Sequence, residues 1–463
     1  MNKQVEFVSS QPGADADLIT AVFQKASRLL VKKLSNNDRD WARDPNKHQY
    51  GVYIPHKQRD GGFFPPMTIK PREDPDADEI REAWFKTVWP QTGKDKKSRL
   101  VHYTSKGQET HLTRVPKEVF ADLLPASLLL IGRLGDGRTY ECLTVDSGSE
   151  EAHFLAQLLG LHADFEIAEF DPAAVRAHER EAVLDFAGEV IAAWQSGQIE
   201  EFANKNALMP DTAELARLAR EAYLNQNSLE KLNPFVLAAP GDALREISRT
   251  IEFDLFRDFQ RKERSVELVR LVLGDAPRAF NISEVIRRLI DEEPAIDALM
   301  LSASQQRKSR AGYSYEHHIE AMLLGGSIPF EKQVIIEAKK RPDFMLPSRQ
   351  FVDSGEVNAA TGLILSAKTT LRERWKQVLL EMGERRLFLM TVDENIPRNA
   401  IEDMASKNIG LVIPESLMKS EETEYSGHSN VFSFRDFCVQ HIQPHLAIWP
   451  PHSPISSPKR GRK

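Results

Sequence analysis

Hydrophobic and polar positions alternate with a period near two in the first third of the chain. Tyr50-Gly51-Val52-Tyr53-Ile54-Pro55 alternates like a strand, and Arg99 to His102 and Ser127 to Ile131 follow suit between Gly- and Pro-containing turns. A helix is expected from Leu18 to Leu30, with Ile19, Phe23 and Leu30 on one face, and then a polar loop Lys32-Lys33-Leu34-Ser35-Asn36-Asn37-Asp38. Residues 1–170 thus read as a β-rich domain. After Asp171-Pro172 the period becomes helical: Val183, Phe186, Val190 and Trp194 recur on one face, as do Leu215, Leu218 and Ala222, then Leu244, Ile247, Ile251 and Leu255. Asn233-Pro234 and Ala239-Pro240-Gly241 read as turns between them. These stripes are core or interface and carry no chemistry. Residues 171–243 form a helical connector, and the helices from Leu244 to about Met300 front a second domain.

From Ser314 helices and strands alternate. A helix Ser314 to Leu324 precedes a strand Gln333 to Ala338, the stretch Pro342 to Leu346, and a strand Leu363 to Lys368. A helix Leu371 to about Gly383, a strand Leu387 to Val392, a short helix Asn399 to Ser406 and a strand Gly410 to Ile413 complete the pattern. Residues 244–450 therefore read as a mixed α/β sheet flanked by helices. Residues 451–463, rich in Pro and Ser and ending Lys459-Arg460-Gly461-Arg462-Lys463, read as a disordered basic tail that adds nonspecific attraction to DNA.

Composition narrows the class. A chain of 463 residues holds two or three domains, and 28% charged with 41% hydrophobic residues is ordinary for a globular protein. Cys142 and Cys438 stand too far apart in sequence for a zinc-ligand spacing and suit a reducing compartment. With no apolar stretch near membrane-spanning length and no signal-like start, a cytoplasmic location without a membrane partner is expected. The net charge of −7 argues against nucleic acid until it is mapped: Lys86 to Arg114 holds seven basic and two acidic residues, Glu141 to Glu221 five and seventeen. The loops Ser35 to Gln49 and Thr104 to Arg114 mix cations with groups that can read base edges, which makes Lys106, Glu109, His111 and Arg114 candidates for DNA contact. The same composition also suits a solvated hairpin.

Hydrolysis of a phosphodiester needs oxygen ligands for Mg²⁺, a group that orients water, and positive charge for the developing phosphorane. Asp343 at the start of one strand and Lys368 at the end of another converge if those strands pair. The usual carboxylate two residues before the lysine is here Ser366, so the second metal ligand is sought on the following helix, where Glu381 lies seven residues beyond Arg374 on the same face. Between them Thr370 and Glu373 match a helix-capping box, while Arg372, Glu373 and Arg374 also suit the edges of G·C pairs, arginine to guanine and glutamate to cytosine. A second basic cluster, Arg307-Lys308-Ser309-Arg310-Ala311-Gly312, offers Lys308 and Arg310 to phosphates or bases and precedes Glu316, a further carboxylate for the site. His317 and His318 diverge by about 100° on a helix and read as structural or surface residues.

Together, Arg307 to Gly312, Lys340-Arg341-Pro342-Asp343-Phe344, Ala367-Lys368-Thr369-Thr370, Arg374-Trp375 and Glu381 resemble the catalytic domain of the EcoRII restriction endonuclease family, from about Ile251 to Leu417. Lys32 to Asp38 and Gly51 to Pro55 resemble that family's effector domain, a pseudo-barrel related to plant transcription-factor DNA-binding domains. The resemblance implies a PD-(D/E)XK restriction-endonuclease-like fold and a type IIE, Mg²⁺-dependent homodimer that engages two or more copies of its double-stranded DNA site. It implies cleavage before the first C of CCWGG, under allosteric control by the N-terminal domain. It places the catalytic roles on Asp343, Lys368, Glu381 and Glu316, with Asp343 and Glu381 as metal ligands and Arg372, Glu373 and Arg374 as readers of the CC:GG part. Rival readings are a DNA-binding regulator with an inactive nuclease core and a structure-specific repair nuclease.

Overall fold

The computed structural model describes residues 14–44, 51–71, 78–107, 109–162, 164–279, 281–295, 314–332, 342–355, 361–371 and 386–450. The chain divides into two compact units, one comprising Met1–Glu179 with Glu421–Glu424 and the other Arg180–Ser420 with Tyr425–Lys463.

The first unit is built on a nine-stranded sheet. Its strands are β1 (Ala26–Lys33), β2 (Val52–Tyr53), β3 (Thr68–Ile69), β4 (Ile80–Trp89), β5 (Lys94–Tyr103), β6 (Thr110–Thr113), β7 (Leu128–Leu134), β8 (Thr139–Val145) and β9 (Ile167–Phe170). The order β2-β6-β5-β4-β8-β7-β1-β9 is antiparallel apart from the parallel pair β4/β8. Phe63, Phe64, Phe85 and Tyr140 cluster on one face, and the buried Tyr140 hydroxyl donates to Phe63 O at 2.8 Å.

Two expectations change here. The helix expected over Leu18 to Leu30 ends at Lys25, and Ala26–Lys33 is strand β1. Because β1 lies between β7 and β9, Leu29, Leu30 and Val31 are all buried, so the alternation that would mark a strand is missing. Nor is Lys32 to Asp38 a loop. Lys32 and Lys33 end β1, and Ser35 caps the helix Asn36–Arg43 through a reciprocal capping box with Asp38. Asp38 is wholly buried: its Oδ2 accepts from Lys32 Nζ at 2.5 Å, Ser35 N at 3.0 Å and Ser35 Oγ at 2.9 Å, and its Oδ1 from Tyr53 N at 2.7 Å.

The second unit carries a six-stranded sheet, β10 (Glu331–Lys332), β11 (Phe344–Leu346), β12 (Leu363–Ala367), β13 (Leu387–Met390), β14 (Ile409–Ile413) and β15 (Val431–Ser433), in that spatial order. The pairs β10/β11 and β11/β12 are antiparallel, and β12 to β15 run parallel. Every residue of β12, β13 and β14 is buried, as befits parallel strands covered on both faces. Leu363, Leu365, Ala367, Phe388 and Met390 pack toward the helix at 314–325 and the helices Thr212–Gln226 and Pro240–Glu246. Ile364, Leu387, Leu389 and Leu411 pack toward the helix Arg398–Ser406. The expected turn at Ala239-Pro240-Gly241 instead opens a helix, with Pro240 in its first turn, where no amide donor is required. The strand expected over Gln333 to Ala338 lies outside the described residues.

Replacing Asp38 with Ala should leave Lys32 buried without its counter-charge. We expect a loss of about 3 kcal/mol in the unfolding of the first unit, followed by chemical denaturation. Ser35→Ala, which removes the cap and one of the donors to Asp38 but keeps the Lys32 counter-charge, should cost less, about 1 to 2 kcal/mol.

Candidate active site

The antiparallel register Phe344↔Leu365 sets Asp343, just before β11, beside Ser366 near the end of β12. Asp343 Oδ2 accepts three bonds: from Ser366 Oγ at 3.0 Å, Ala367 N at 2.8 Å and Lys368 Nζ at 2.8 Å. The serine in the usual carboxylate position therefore donates to the aspartate, where a second carboxylate would repel it. All three of these bonds fall on one oxygen, Oδ2. Lys368 leaves the end of β12 with its amide bonded to Met390 O at 3.0 Å, so strand pairing fixes the base of the lysine side chain.

Glu316 reaches the same lysine from the helix at 314–325, with Oε1 at 3.8 Å from Lys368 Nζ. Tyr315, Ile319, Met322 and Leu323 anchor that helix in the core. His318 is fully buried; its Nε2 bonds Glu252 at 2.7 Å, Ser314 Oγ also bonds Glu252, and Nδ1 lies 3.3 Å from Arg220 Nη1. Because a guanidinium only donates, Nδ1 accepts and Nε2 carries the proton, which gives a neutral imidazole. Burial lowers its pKa further. The structural reading of His318 stands, and the bonds it makes hold the helix that presents Glu316. Glu320, one turn beyond Glu316, pairs with Lys332 of β10 at 2.7 Å. No local spacing signals that pair, whose partners lie 12 residues apart on different elements.

Burial and the nearby charge of Asp343 push the Glu316 carboxyl up to about 7, against the opposing pull of Lys368. Two carboxylates facing one lysine form an oxygen-donor set suited to a hard divalent cation. Among the described residues no cluster of three or more His, Cys, Asp or Glu side chains forms a complete metal site. Glu381, Arg372, Glu373, Arg374, Lys308 and Arg310 lie outside the described residues.

In the first unit, Lys106 ends the short turn Thr104–Lys106, and Glu109 is exposed, with its carbonyl accepting from His102 Nδ1 at 2.9 Å. Arg114 is exposed, adopts φ 59° and lies 5.0 Å over the Trp84 ring, which Lys97 and Arg99 also approach. His111 is buried in β6, its ring 6.0 Å from that of Tyr53. The structure thus brings Asp343, Lys368 and Glu316 together, while of the N-terminal loop candidates Glu109 and Arg114 face outward and His111 faces inward.

An aspartate and a lysine at paired strand ends thus meet a helix glutamate at one edge of a mixed sheet. Residues 281–438 match the family described as EcoRII C terminal. Over 142 residues the chain is 33% identical to the type II restriction enzyme EcoRII of Escherichia coli, covering 30% of this chain and 35% of that enzyme. Over 193 residues it is 28% identical to the type II restriction enzyme SsoII of Shigella sonnei, covering 39% of this chain and 61% of that enzyme. The matched stretch thus spans about a third of one curated relative and about three-fifths of the other. A solved structure of metal-depleted Ecl18kI in complex with uncleaved, modified DNA resembles 55% of this chain and 82% of its own, at 22% identity and a TM-score of 0.41.

The elevated Glu316 carboxyl has a consequence for stability. A group whose pKa is raised by folding stabilises the fold below its unfolded titration range, and that contribution is lost as pH rises through about 7. In metal-free protein at pH 8, Glu316→Gln should therefore be more stable than the parent by about 1 to 3 kcal/mol, with the difference vanishing near pH 4. Denaturation with a chelator at both pH values checks this.

Proposed function

We propose that the chain is a type II, site-specific DNA endonuclease of a restriction-modification system that cleaves both strands of duplex DNA. The observation that carries this reading is the three-donor clamp on Asp343 by Ser366, Ala367 and Lys368, with Glu316 on the same lysine, inside the segment that matches the EcoRII C-terminal family.

In this reading Asp343 and Glu381 would hold Mg²⁺. Bound there, the cation would supply Lewis-acid polarisation of the scissile phosphate. Lys368 orients the attacking water and offsets charge on the phosphorane; its bond to Asp343 Oδ2 keeps the ammonium at the site before DNA arrives. Glu316, within ion-pair reach of Lys368, draws the ammonium toward the opposite side and serves as the further carboxylate. The leaving group is the 3′-oxygen, and the products carry 5′-phosphates. The target is a short CC/GG-containing site of the CCWGG kind, with Arg372, Glu373 and Arg374 reading its G·C pairs and Lys308 and Arg310 adding contacts. The chain works as a homodimer on two or more copies of its site. The first unit binds DNA through Lys106, Glu109 and Arg114, without the inward-facing His111, and regulates cleavage; the exposed Arg114 beside Lys97 and Arg99 supports a phosphate-facing surface there.

Asp343→Ala and Lys368→Ala should each retain sequence-specific binding and lose cleavage by at least about a hundredfold, read by plasmid nicking with Mg²⁺. Full cleavage by either variant removes that residue from the mechanism, and discrete ends mapped on a genomic digest separate this reading from a structure-specific nuclease. A fragment beginning at residue 171 should cut single-site DNA faster than the full chain; a folded but inactive fragment counts against control by the first unit.

A further inference from the structure

Two charged side chains outside the carboxylate–lysine cluster act on the stretch of chain that leaves Lys368. Arg249 lies in a π-helical turn, Ile247–Ile251, between the helices Pro240–Glu246 and Glu252–Leu273. Such turns insert an extra residue per turn, re-aim side chains and recur at functional sites. Arg249 Nη2 donates to Thr369 O at 3.0 Å and lies 3.4 Å from Val392 O, two carbonyls just past the ends of the parallel strands β12 and β13. One turn earlier, Arg245 pairs with Glu394 at 2.6 Å, so the helical rod docks on the same strand ends at two points.

Asp393, 1% exposed, completes the arrangement. Its Oδ2 accepts from Leu371 N at 2.7 Å and its Oδ1 from Asn395 N at 3.0 Å, while its own amide bonds Thr391 Oγ1 at 3.0 Å. The Tyr425 hydroxyl donates to its carbonyl. With Lys368 N held by Met390 O, three of the four residues from 368 to 371 are pinned through their backbone, and two of the three pins end on a charged group. Neutral side chains could satisfy the same backbone groups at a smaller desolvation cost. Charged partners make shorter and stronger bonds, which is what a stretch that must not shift requires. Burial pushes the Asp393 carboxyl up, and the nearby Arg249 charge opposes that push.

We infer that Arg249 and Asp393 are positioning residues for Lys368: by clamping Thr369 O and Leu371 N they fix the backbone from which the lysine reaches Asp343. The inference rests on the nuclease reading above.

Single-turnover cleavage by the full-length protein, on a plasmid carrying a mapped cleavage site with saturating Mg²⁺, tests it. DNA affinity is measured separately with Ca²⁺ in place of Mg²⁺. Arg249→Ala and Asp393→Asn should lower the rate constant about ten- to a hundredfold with affinity unchanged, the size of loss expected when a catalytic group is misplaced from a distance. Arg249→Lys should recover part of the rate. A loss confined to the reaction amplitude, with the rate constant unchanged, would mean that the two residues only hold the fold, and a parallel loss of affinity would likewise overturn the inference. Should Asp393→Asn fail to fold, the two Arg249 variants decide alone, since Arg249 is only partly buried. The parent and Lys368→Ala separate the two levels: if the parent does not cleave, the nuclease reading falls, and if Lys368→Ala cleaves at the parental rate, the role of Lys368 falls and the clamp with it. If that variant is dead while the Arg249 and Asp393 variants cleave at the parental rate, only the clamp falls.

Discussion

The register between two short antiparallel strands is the constraint on which the site depends. With Phe344 opposite Leu365, Asp343 meets the last turn of backbone before Lys368, and one carboxylate oxygen gathers a hydroxyl, an amide and an ammonium. A slip of one residue would turn Asp343 into the apolar layer and Phe344 toward the charges, because side chains alternate across a strand. The fully buried strands β12 to β14 make such a slip expensive, since each of their residues already has apolar partners on one face or the other. Packing of the sheet thus sets the geometry of the charges at its end.

Around that register the second unit supports the site in layers. The helix bearing Glu316 is held by its apolar face and by the buried bonds from His318 and Ser314 to Glu252. The rod that carries Arg245 and Arg249 docks on the ends of the parallel strands, where carbonyls and amides have no further strand to pair with. Charged groups in these places cost desolvation free energy, which packing over the rest of the sheet offsets. The elevated Glu316 carboxyl shows the same tension within the site: two acids and one base brought together before any cation is present.

In the first unit the corresponding role falls to Asp38, which ties the end of β1, the cap of the next helix and the backbone at Tyr53 into one node. Trp84, beneath Lys97, Arg99 and Arg114, gives the sheet a basic outer surface although the chain as a whole is acidic. Positive potential is local, and the net charge conceals it.

The residues by themselves carried the helix that begins at Ser314, the strands at Leu363, Leu387 and Gly410 and the short helix near Asn399, and they marked Asp343 and Lys368 as groups that converge if their strands pair. Hydrophobic period and strand-end chemistry are local properties that need no neighbour to be read. Helix geometry left His317 and His318 as structural or surface residues, and only the fold buries His318 against Glu252. Tertiary structure alone decided that Ala26–Lys33 is a strand, because a strand with neighbours on both sides and cover on both faces loses the alternation that marks it. It alone decided that Ser366 serves Asp343 as a donor, that His111 points inward while Arg114 points out, and that Arg249 and Asp393 meet the chain beside Lys368. Each of these depends on groups far apart in sequence, Arg249 and Thr369 being 120 residues apart, and only the folded backbone brings such partners within hydrogen-bonding distance.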